Sequence, residues 1–478
     1  MPSARSSAGD DVEMMDENPL ALLPEILLIV AAVFGLLLGS YLPRQRQWLV
    51  RFVAAAACAG TIIATVVVWF RPDLTVFGDS YVVDVSTNAT RIAVAAAVLL
   101  VLCLAPGEVA GAARESEWYV LVLLAAVGTI AMAGANDLML LAAAFLLASI
   151  PLYALAGFGK DALGTEAALK YYLLGALLGV TMLGGVTVLF GVGGATTYAD
   201  LGEGIGKAPG AAVAVGVIAL MAGLLFKAGA VPAHFWVPDV AEGARPVVAA
   251  FVTTVPKIGA VVAIYRLVAG PLSSGSVDTM LLIAVVAAVT MTLGNLAAFF
   301  QDNVRRLLAY STISQVGYLL VGVAAATGSE LARPSVLLYL LGYAITNVGA
   351  FAVVCALPDA VTLDDYRGLR RGHRWLALSL VVCLLGLVGT PPTVVFAGKL
   401  TVFTAGLDAG LGWLVVLAAV NTVASLYYYL RWIAPAMRDA EMDGAAVVRP
   451  RAAITACVAA AASLGLGLLT GPLLALVR

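Results

Sequence analysis

Long runs of apolar residues recur along almost the whole of this chain, and they constrain its fold more than any other feature. Runs of roughly 18 or more apolar residues are long enough to cross a bilayer core as helices. Of the 478 residues, 62% are hydrophobic and only 12% are charged, which is about half the charged fraction of a soluble domain. Barrel strands would instead alternate apolar and polar residues over segments of about ten. The sequence therefore predicts an all-α polytopic membrane protein with no large soluble domain.

The apolar runs divide into about fourteen predicted transmembrane helices. Their approximate limits are 19–42, 50–70, 90–106, 117–135, 137–158, 166–192, 211–234, 246–269, 279–300, 307–327, 335–357, 375–396, 411–433 and 452–475. Residues 1–18 are polar and acidic, and we predict that they form a disordered tail. Lysine and arginine residues in the loops and tails and at the ends of these helices divide seven to sixteen between the two membrane sides. By the positive-inside rule, the side with seven, which holds both termini, lies outside the cytoplasm.

Lysine occurs where a transmembrane helix should avoid it. The chain has six lysines, and four of them, Lys170, Lys227, Lys257 and Lys399, fall inside predicted spans or, for Lys399, at the approximate end of one. Each intramembrane lysine costs about 2.5–3.5 kcal/mol. The side chain could extend to the headgroups, most easily from Lys170 near the start of its span. Because burial destabilises an ammonium group relative to the neutral amine, whereas arginine stays charged, these lysines indicate a proton path.

Two predicted spans are interrupted beside a lysine. "KAGAVPAHFW" (227–236) breaks the seventh span, and "GTPPTVVFAGK" (389–399) breaks the twelfth. Proline cannot donate the helical hydrogen bond, so both spans are predicted to be discontinuous helices, which mark ion sites in many transporters. His234 follows the first break. Its side chain titrates near neutral pH, so it can act in a proton relay, although a histidine at a helix end can equally be a simple hydrogen-bonding residue.

The cysteines give no sign of a cofactor. All five lie in apolar runs without a CxxC pair, and they are Cys58, Cys103, Cys355, Cys383 and Cys457. Iron–sulfur and zinc sites need closely spaced ligands, and no glycine-rich phosphate loop follows a strand-like run. We predict no cofactor, no metal and no nucleic-acid partner for this chain.

Several long motifs resemble one family of membrane proteins. "EAALKYYLLGA" (166–176), "FKAGAVPAHFWVPDVAEGA" (226–244), "DNVRRLLAYSTISQVGYLLVG" (302–322), "LDDYRGL" (363–369) and "GTPPTVVFAGKL" (389–400) are similar to the antiporter-like subunits of respiratory complex I. That complex is the bacterial proton-translocating NADH–quinone oxidoreductase, and the sequences of these motifs are most similar to its subunit N. The resemblance covers nearly the whole chain.

This resemblance implies an arrangement and a role. Helices 1–3 (19–106) precede two inverted five-helix repeats, helices 4–8 (117–269) and 9–13 (279–433), and helix 14 (452–478) follows. Each repeat would hold a half-channel, with Lys170, Lys227, His234, Lys257 and Lys399 on the proton path. Quinone reduction in other subunits would drive proton transfer along this path. Those subunits would bind NADH or another donor, FMN, iron–sulfur clusters and quinone. The partners would be other membrane-arm subunits and lipid, in the bacterial inner (plasma) membrane.

One position departs from the family pattern. In "ANDLMLLAAAFLLASIPLY" (135–153), Leu146 stands where the family carries a glutamate that is the expected partner of Lys170. Glu166, Asp137 and Glu117 lie at span ends and are poor substitutes. Lys170 is therefore expected to lack a carboxylate partner, which would weaken coupling through the first half-channel and would fit a divergent paralogue.

Two other carboxylates and two other functions complete the predictions. Asp239 and Glu242 are expected to be structural, pairing with Arg245.

A subunit of a multisubunit sodium/proton antiporter would share the fold and the lysines without a redox partner. A non-pumping structural subunit of the membrane arm would fit the loss of the glutamate.

Overall fold

A computed structural model describes residues 19–439 and 448–478, so the predicted tail 1–18 lies outside the described residues. The described chain is almost entirely helical. Its α-helices are α1 Leu23–Tyr41, α2 Leu49–Val68, α3 Val85–Leu104, α4 Glu115–Gly134, α5 Leu138–Leu147, α6 Ile150–Ala156, α7 Ala162–Gly193, α8 Tyr198–Ile205, α9 Gly210–Ala228, α10 Trp236–Gly243, α11 Pro246–Ala269, α12 Thr279–Ala298, α13 Val304–Ala324, α14 Ala332–Ala356, α15 Leu369–Gly372, α16 Arg374–Val388, α17 Val394–Asp408, α18 Gly412–Ala436, α19 Pro450–Leu468 and α20 Thr470–Val477.

Shorter elements join these helices. Single 3-10 turns occur at Pro19–Leu22, Arg44–Arg46, Ala105–Gly107, Pro271–Ser274 and Asp364–Tyr366. One antiparallel hairpin, β1 Leu74–Val76 and β2 Tyr81–Val83, pairs Thr75 with Val82 and precedes α3. These pieces are confined to the ends of the long helices.

The predicted spans are confirmed in outline. In the described part of the chain, 13 helices are long and apolar enough to cross a membrane, with α5 and α6 counted together. The remaining predicted span, 375–396, is divided between the shorter α16 and α17. The seventh span ends its first helix at Ala228 and resumes at Trp236. Both discontinuous helices therefore lie where the prolines predicted them.

A third break was not predicted. The fifth span, expected to be continuous over 137–158, is divided between α5 and α6 at Ala148 and Ser149. Pro151 lies in the first turn of α6, where its missing N–H is tolerated. The Ser149 hydroxyl donates to the Phe145 carbonyl oxygen at 2.5 Å and satisfies part of the broken turn.

The long helices differ in how far they are enclosed. The most apolar stretch of α11 is completely buried, and those of α13 and α14 are almost completely buried. Only about a third of the corresponding residues in α1, α2, α7 and α19 are buried. Helices α11, α13 and α14 therefore form the centre of the fold, and apolar side chains on the peripheral helices face outward, as expected for a protein surrounded by lipid.

One arginine contact occurs twice in the fold. Arg266, near the end of α11, donates from Nε to the Ala133 carbonyl oxygen in the last turn of α4 at 2.5 Å. Arg431, near the end of α18, donates from Nη1 to the Phe299 carbonyl oxygen just after α12, also at 2.5 Å. In both cases an arginine satisfies a free carbonyl group at a helix carboxyl end, a position that favours a cation.

A backbone bridge also occurs twice. Asp137 pairs with Thr197, and Asn303 pairs with Thr362, each as an isolated antiparallel bridge. Asp137 caps α5 and Asn303 caps α13 through their side-chain oxygens, as asparagine and aspartate do at helix starts. The loops after α4 and α12 therefore have the same local construction.

Two buried ion pairs join α3 and the residue before it to α1 and α11. Arg91 in α3 forms a bidentate pair with Glu25 in α1, with N–O distances of 2.7 and 2.8 Å, and Tyr81 donates to the same carboxylate at 2.6 Å. Asp84 lies 2.6 Å from Arg266. Burial opposes ionisation of Asp84, but the Arg266 charge and the hydrogen bonds from Arg266 and Thr87 together outweigh it and lower the pKa of that carboxyl. Charges near the ends of predicted spans are thus paired inside the protein.

Candidate functional site

Lys227 is completely buried in the last turn of α9. Its Nζ donates to the Ala148 carbonyl oxygen at 3.3 Å and contacts the Ser149 hydroxyl oxygen. The Phe145 ring lies beneath it, with the ring centroid 5.0 Å from Nζ. The ammonium group therefore sits at the carboxyl end of α5, inside the break that divides the fifth span.

Lys257 is completely buried in α11, one residue after Pro256. Its Nζ donates to the Ala228 carbonyl oxygen at 2.6 Å, and the Trp236 ring centroid is 5.4 Å away. Gly229 has a φ of +76°, and a Cβ at this position would collide with Lys257 Nζ. The glycine thus provides both the left-handed turn that ends α9 and the space for the ammonium group.

Lys399 lies in α17 and is 3% exposed. Its Nζ donates to the carbonyl oxygens of Leu387 at 3.2 Å and Val388 at 2.9 Å, and the Tyr318 ring centroid is 4.0 Å away. Gly389 has a φ of +94°, and a Cβ there would lie 2.9 Å from Lys399 Cδ. Both breaks therefore combine a glycine of positive φ with a lysine that donates to the last carbonyl groups before it, but that lysine comes from the separate helix α11 at the first break and from α17, directly after the break, at the second.

The three buried lysines share one kind of partner. Each donates to the terminal carbonyl groups of a helix that ends within a span: α5 for Lys227, α9 for Lys257 and α16 for Lys399. Free carbonyl groups give a helix carboxyl end a partial negative charge. Among residues 19–439 and 448–478, no carboxylate lies within ion-pair distance of these three. Such partial charges stabilise an ammonium group less than a carboxylate would.

Lys170 differs from the other three. Its side chain is 47% exposed on α7, and its Nζ lies 2.8 Å from Glu166 Oε1 and 2.9 Å from Asp239 Oδ2. The expectation that Lys170 lacks a carboxylate partner is therefore wrong. Glu166 precedes it by one helical turn, which places both side chains on the same face, and α10 brings Asp239 alongside. Leu146, where the family glutamate was expected, is 42% exposed.

Asp239 also contacts the second half of the fold. Its Oδ1 lies 3.2 Å from Arg306 Nη1 in α13, and the same Nη1 lies 2.8 Å from Glu242 Oε2. Arg245 instead donates to the Glu108 carbonyl oxygen. The predicted pairing of Asp239 and Glu242 with Arg245 is therefore wrong. The chain turns sharply between α10 and α11 at Ala244, so Arg245 faces the end of α3.

A chain of buried polar groups extends from the helix of Lys257 into α13 and α14. The Tyr343 hydroxyl donates to the Thr253 carbonyl oxygen at 2.7 Å, one turn before Lys257, and lies 3.2 Å from the Thr312 hydroxyl. All of these side chains are almost completely buried. The sequence showed these polar residues within apolar spans, but not that they meet.

The same chain of polar groups continues towards Lys399. Gln315, one turn after Thr312 on α13, donates to the Leu387 carbonyl oxygen at 2.7 Å, which Lys399 also contacts. The Tyr339 hydroxyl donates to Gln315 Oε1 at 2.5 Å. Hydroxyl, amide and carbonyl groups, with a step of one helical turn between Thr312 and Gln315, therefore lie between the surroundings of two lysines from different halves of the fold.

His234 lies in the segment between α9 and α10 and is 4% exposed. Its ring lies 4.4 Å from the Phe235 ring, centroid to centroid. In the described part of the chain, its Nδ1 is buried without a hydrogen-bond partner. A water molecule can bridge a buried imidazole nitrogen of this kind to another polar group. The role of His234 as a proton relay stays a prediction.

Metal ligands are not assembled in the described ranges. No group of three or more histidine, cysteine, aspartate or glutamate side chains there is placed to hold a metal ion. The five cysteines are free thiols, three of them buried. The chemical resources of this site are ammonium groups, hydroxyl groups and helix-terminal carbonyl groups, which suit proton transfer.

Comparison with known proteins places this geometry in a wider group. The family described as NADH:quinone oxidoreductase/Mrp antiporter, TM, matches residues 135–425. NADH-quinone oxidoreductase subunit N 1 of Streptomyces griseus is 56% identical over 96% of this chain and 97% of its own length. NADH-quinone oxidoreductase subunit N of a Mycobacterium species is 50% identical over 96% of this chain and 98% of its own.

Solved structures share the architecture. A chain of respiratory complex I from Thermus thermophilus superposes with a TM-score of 0.82 at 32% identity, covering 94% of this chain and 98% of that one. A chain of the Mrp complex from a Dietzia species superposes with a TM-score of 0.83 at 22% identity, covering 96% of both chains. The second likeness, at its low identity, shows the fold alone.

Proposed function

The chain belongs to the subunit N family of NADH-quinone oxidoreductases, and from this membership we propose that its buried lysines form a proton path through the membrane arm. As a subunit of this proton-translocating complex, it is part of a translocase. The antiporter alternative is not favoured, because the relatives at 56% and 50% identity are subunits N. Quinone reduction in other subunits supplies the energy.

One observation carries the proposal: three ammonium groups are buried against helix-terminal carbonyl groups, with hydroxyl and amide groups between them. Lys257 Nζ donates to the carbonyl oxygen of Ala228, the residue next to Lys227, so the two ammonium groups are neighbours and their positive charges repel each other. A proton on one therefore disfavours a proton on the other. Loading of Lys227 favours release from Lys257 towards Tyr343 and, through the polar line, towards Lys399. Lys170, held by carboxylates at the edge of the fold, collects protons for this path, and His234 relays them.

The repeated contacts support two inverted repeats at 117–269 and 279–433, each with one half-channel. The Arg266 and Arg431 contacts, the two backbone bridges and the two lysine-filled breaks occur at matching places in these ranges. Helices 1–3 and helix 14 flank the pair. Because the repeats are joined through α11, α13 and α14, a proton taken up in one half reaches the other without crossing a lipid-facing surface.

The surroundings of the chain follow from the same membership. We place it in the bacterial plasma membrane with both termini outside the cytoplasm, because positive charge accumulates on the other side. NADH or another donor, FMN, iron–sulfur clusters and quinone belong to other subunits. Membrane-arm neighbours cover part of the outward-facing apolar surface.

Single lysine substitutions in the intact complex test the proposal. Lys227→Met, Lys257→Met and Lys399→Met keep the volume of the side chain and remove the charge. Electron transfer to quinone and proton uptake are measured together in sealed membrane vesicles. The proton-to-electron ratio is expected to fall in each variant, with the complex still assembled. Lys160→Met and Lys207→Met, at exposed loop lysines, are the controls. An unchanged ratio in all three buried variants would mean that the chain is a non-pumping structural subunit.

A further inference from the structure

We propose that Trp236 is a positioning residue, which holds the Lys257 ammonium group at the end of α9 and links it, through α10, to the Lys170–Asp239 ion pair. This role rests on the proposed proton path. Trp236 is the first residue of α10 and is 1% exposed. Its indole N–H donates to the Phe226 carbonyl oxygen at 3.0 Å. The ring is therefore fixed to the last turn of α9, where the carbonyl groups lack helical partners.

The Trp236 ring lies beside the ammonium group of Lys257. The distance from Lys257 Nζ to the ring centroid is 5.4 Å, which is within the range of about 6 Å at which an aromatic ring attracts an ammonium group. The same Nζ donates to the Ala228 carbonyl oxygen at 2.6 Å. Ring and carbonyl group thus hold one ammonium group at the end of α9, and the ring favours the charged form of lysine more than an aliphatic side chain would.

Trp236 also connects α10 to α7. Its ring stacks on that of Tyr171, with the centroids 4.2 Å apart and the planes inclined by 19°. Tyr171 follows Lys170 directly and is completely buried. In the described part of the chain its hydroxyl oxygen has no hydrogen-bond partner. Ring stacking, and not a hydrogen bond of the hydroxyl group, therefore joins this side chain to α10.

The ion pair between Lys170 and Asp239 joins the same two helices, with Nζ 2.9 Å from Oδ2. Asp239 follows Trp236 by three positions, so the two are neighbours on the surface of α10. Helix α10 has eight residues and is about 12 Å long, which is short enough to move as one unit. Loss of the ion pair therefore loosens the stack on Tyr171, and the contact between the Trp236 ring and Lys257 weakens with it.

Several charged or titratable groups lie on the helices packed against α11, which carries Lys257. They include Lys227 on α9, His234 before α10, Asp239 on α10, Tyr343 on α14, Arg91 on α3, which Glu25 holds, and Tyr153 on α6, which lies against Tyr171. Helices α4 and α13 present Thr129 and Thr312 to this part of α11, and neither titrates. Since Asp239 belongs to the link itself, its direct charge effect on Lys257 has to be separated from the effect of α10.

Substitution of two buried tryptophans in the intact complex tests the role of Trp236. Trp236→Leu removes the aromatic ring, and Trp236→Phe keeps a smaller ring without the N–H group. The proton-to-electron ratio is measured in sealed vesicles across a range of pH. Its alkaline limb is expected to move to lower pH by about one unit in Trp236→Leu and by less in Trp236→Phe, because an ammonium group with weaker support loses its proton at lower pH.

Trp118→Leu and Trp118→Phe are the matched controls. Trp118 is completely buried in α4, and in the described part of the chain no lysine lies over its ring. These variants lose similar packing and are expected to keep the alkaline limb where it is. Where Trp236→Leu does not assemble, the comparison of Trp236→Phe with Trp118→Phe decides, and equal limbs in these two variants overturn the role of Trp236.

A double substitution separates the link through α10 from a direct effect of charge. Asp239→Asn alone is expected to move the alkaline limb to lower pH, and it should add no further shift in the Trp236→Leu variant. Glu242→Gln removes the other α10 carboxylate that pairs with Arg306 but leaves the Lys170 pair, so it should give no shift. The same Asp239→Asn shift with and without the Trp236 ring would show a direct charge effect and would overturn the link.

Lys257→Met distinguishes this inference from the proposed function. If its proton-to-electron ratio is unchanged, the proton path through Lys257 is wrong, and the role of Trp236 is wrong with it. If Lys257→Met lowers the ratio while the Trp236 variants keep the pH dependence of the Trp118 variants, the proton path stands and only the role of Trp236 is overturned.

Discussion

Lys170 Nζ lies 2.9 Å from Oδ2 of Asp239, a residue 69 positions further along the chain. The other oxygen of this carboxylate lies 3.2 Å from Arg306. Asp239 is therefore shared between a lysine of the first half of the fold and an arginine of the second. A change in the protonation of Lys170 alters the charge balance at the start of α13, which offers a physical link between the two halves.

Asp239→Asn removes the carboxylate that this link requires. An interaction worth about 1.4 kcal/mol changes an equilibrium tenfold, so a clear fall in the proton-to-electron ratio is expected, with quinone reduction retained. Glu166→Gln should have a smaller effect, because Glu166 is 60% exposed and exposed pairs contribute little. The proton-to-electron ratio of both variants, measured in sealed vesicles, shows which substitution has the larger effect. A larger effect of Glu166→Gln would contradict the shared role of Asp239.

Leu146→Glu restores the family residue but should not improve pumping. Lys170 already has two carboxylate partners, and Leu146 is 42% exposed at the edge of the fold. A carboxylate facing lipid is unfavourable, so the amount of assembled complex should fall or stay the same. Proton pumping across a range of pH should not exceed that of the unchanged complex. Increased coupling would show that Lys170 is insufficiently compensated.

Gly229→Ala and Gly389→Ala should disturb the lysine sites. Both glycines have positive φ, and a Cβ would meet Lys257 or Lys399. Each change should destabilise the complex by more than about 1 kcal/mol and lower the proton-to-electron ratio. Gly184→Ala is the control, since a Cβ at that position on α7 meets nothing within 4 Å. Thermal unfolding and pumping are both measured, and tolerance of alanine at the two breaks would count against the assigned geometry.

Tyr343→Phe should slow proton transfer between the two halves without disturbing the fold. Its hydroxyl joins the Thr253 carbonyl oxygen to Thr312, and the cost of removing such a hydrogen bond is about 1 kcal/mol. Pumping should fall several-fold while assembly is retained. Tyr427→Phe, whose side chain is 58% exposed, is the matched control. Equal pumping by the two variants would exclude the Tyr343 hydroxyl from the path.

Acid should weaken the contact between Asp84 and Arg266. Because the Arg266 charge and the hydrogen bonds from Arg266 and Thr87 together outweigh burial, the folded-state pKa of Asp84 lies below its ordinary value of 3.8. A carboxyl of this kind contributes stability above its unfolded pKa, and the contribution is lost as pH falls through the folded pKa. Asp84→Asn should therefore lower the thermal midpoint at pH 7, and the difference should diminish below about pH 4. A difference independent of pH would argue against an ionised Asp84.

The sequence alone determined the elements that depend on local composition. Apolar length set the spans, and proline and glycine beside Lys227 and Lys399 located two helix breaks, because these residues act on their own backbone. Lysine within an apolar run indicated an ionisable group inside the protein, whatever the packing of the helices.

Only the tertiary structure decided which groups meet. Lys170 finds Asp239 because α10 folds back against α7, and Lys227 occupies a break in the fifth span that proline at the start of α6 did not reveal. The polar line through Tyr343 and Gln315 requires α11, α13 and α14 to pack together. Such contacts join residues far apart in sequence, so their free energy depends on helix packing and side-chain direction, which hydrophobic periodicity alone does not specify.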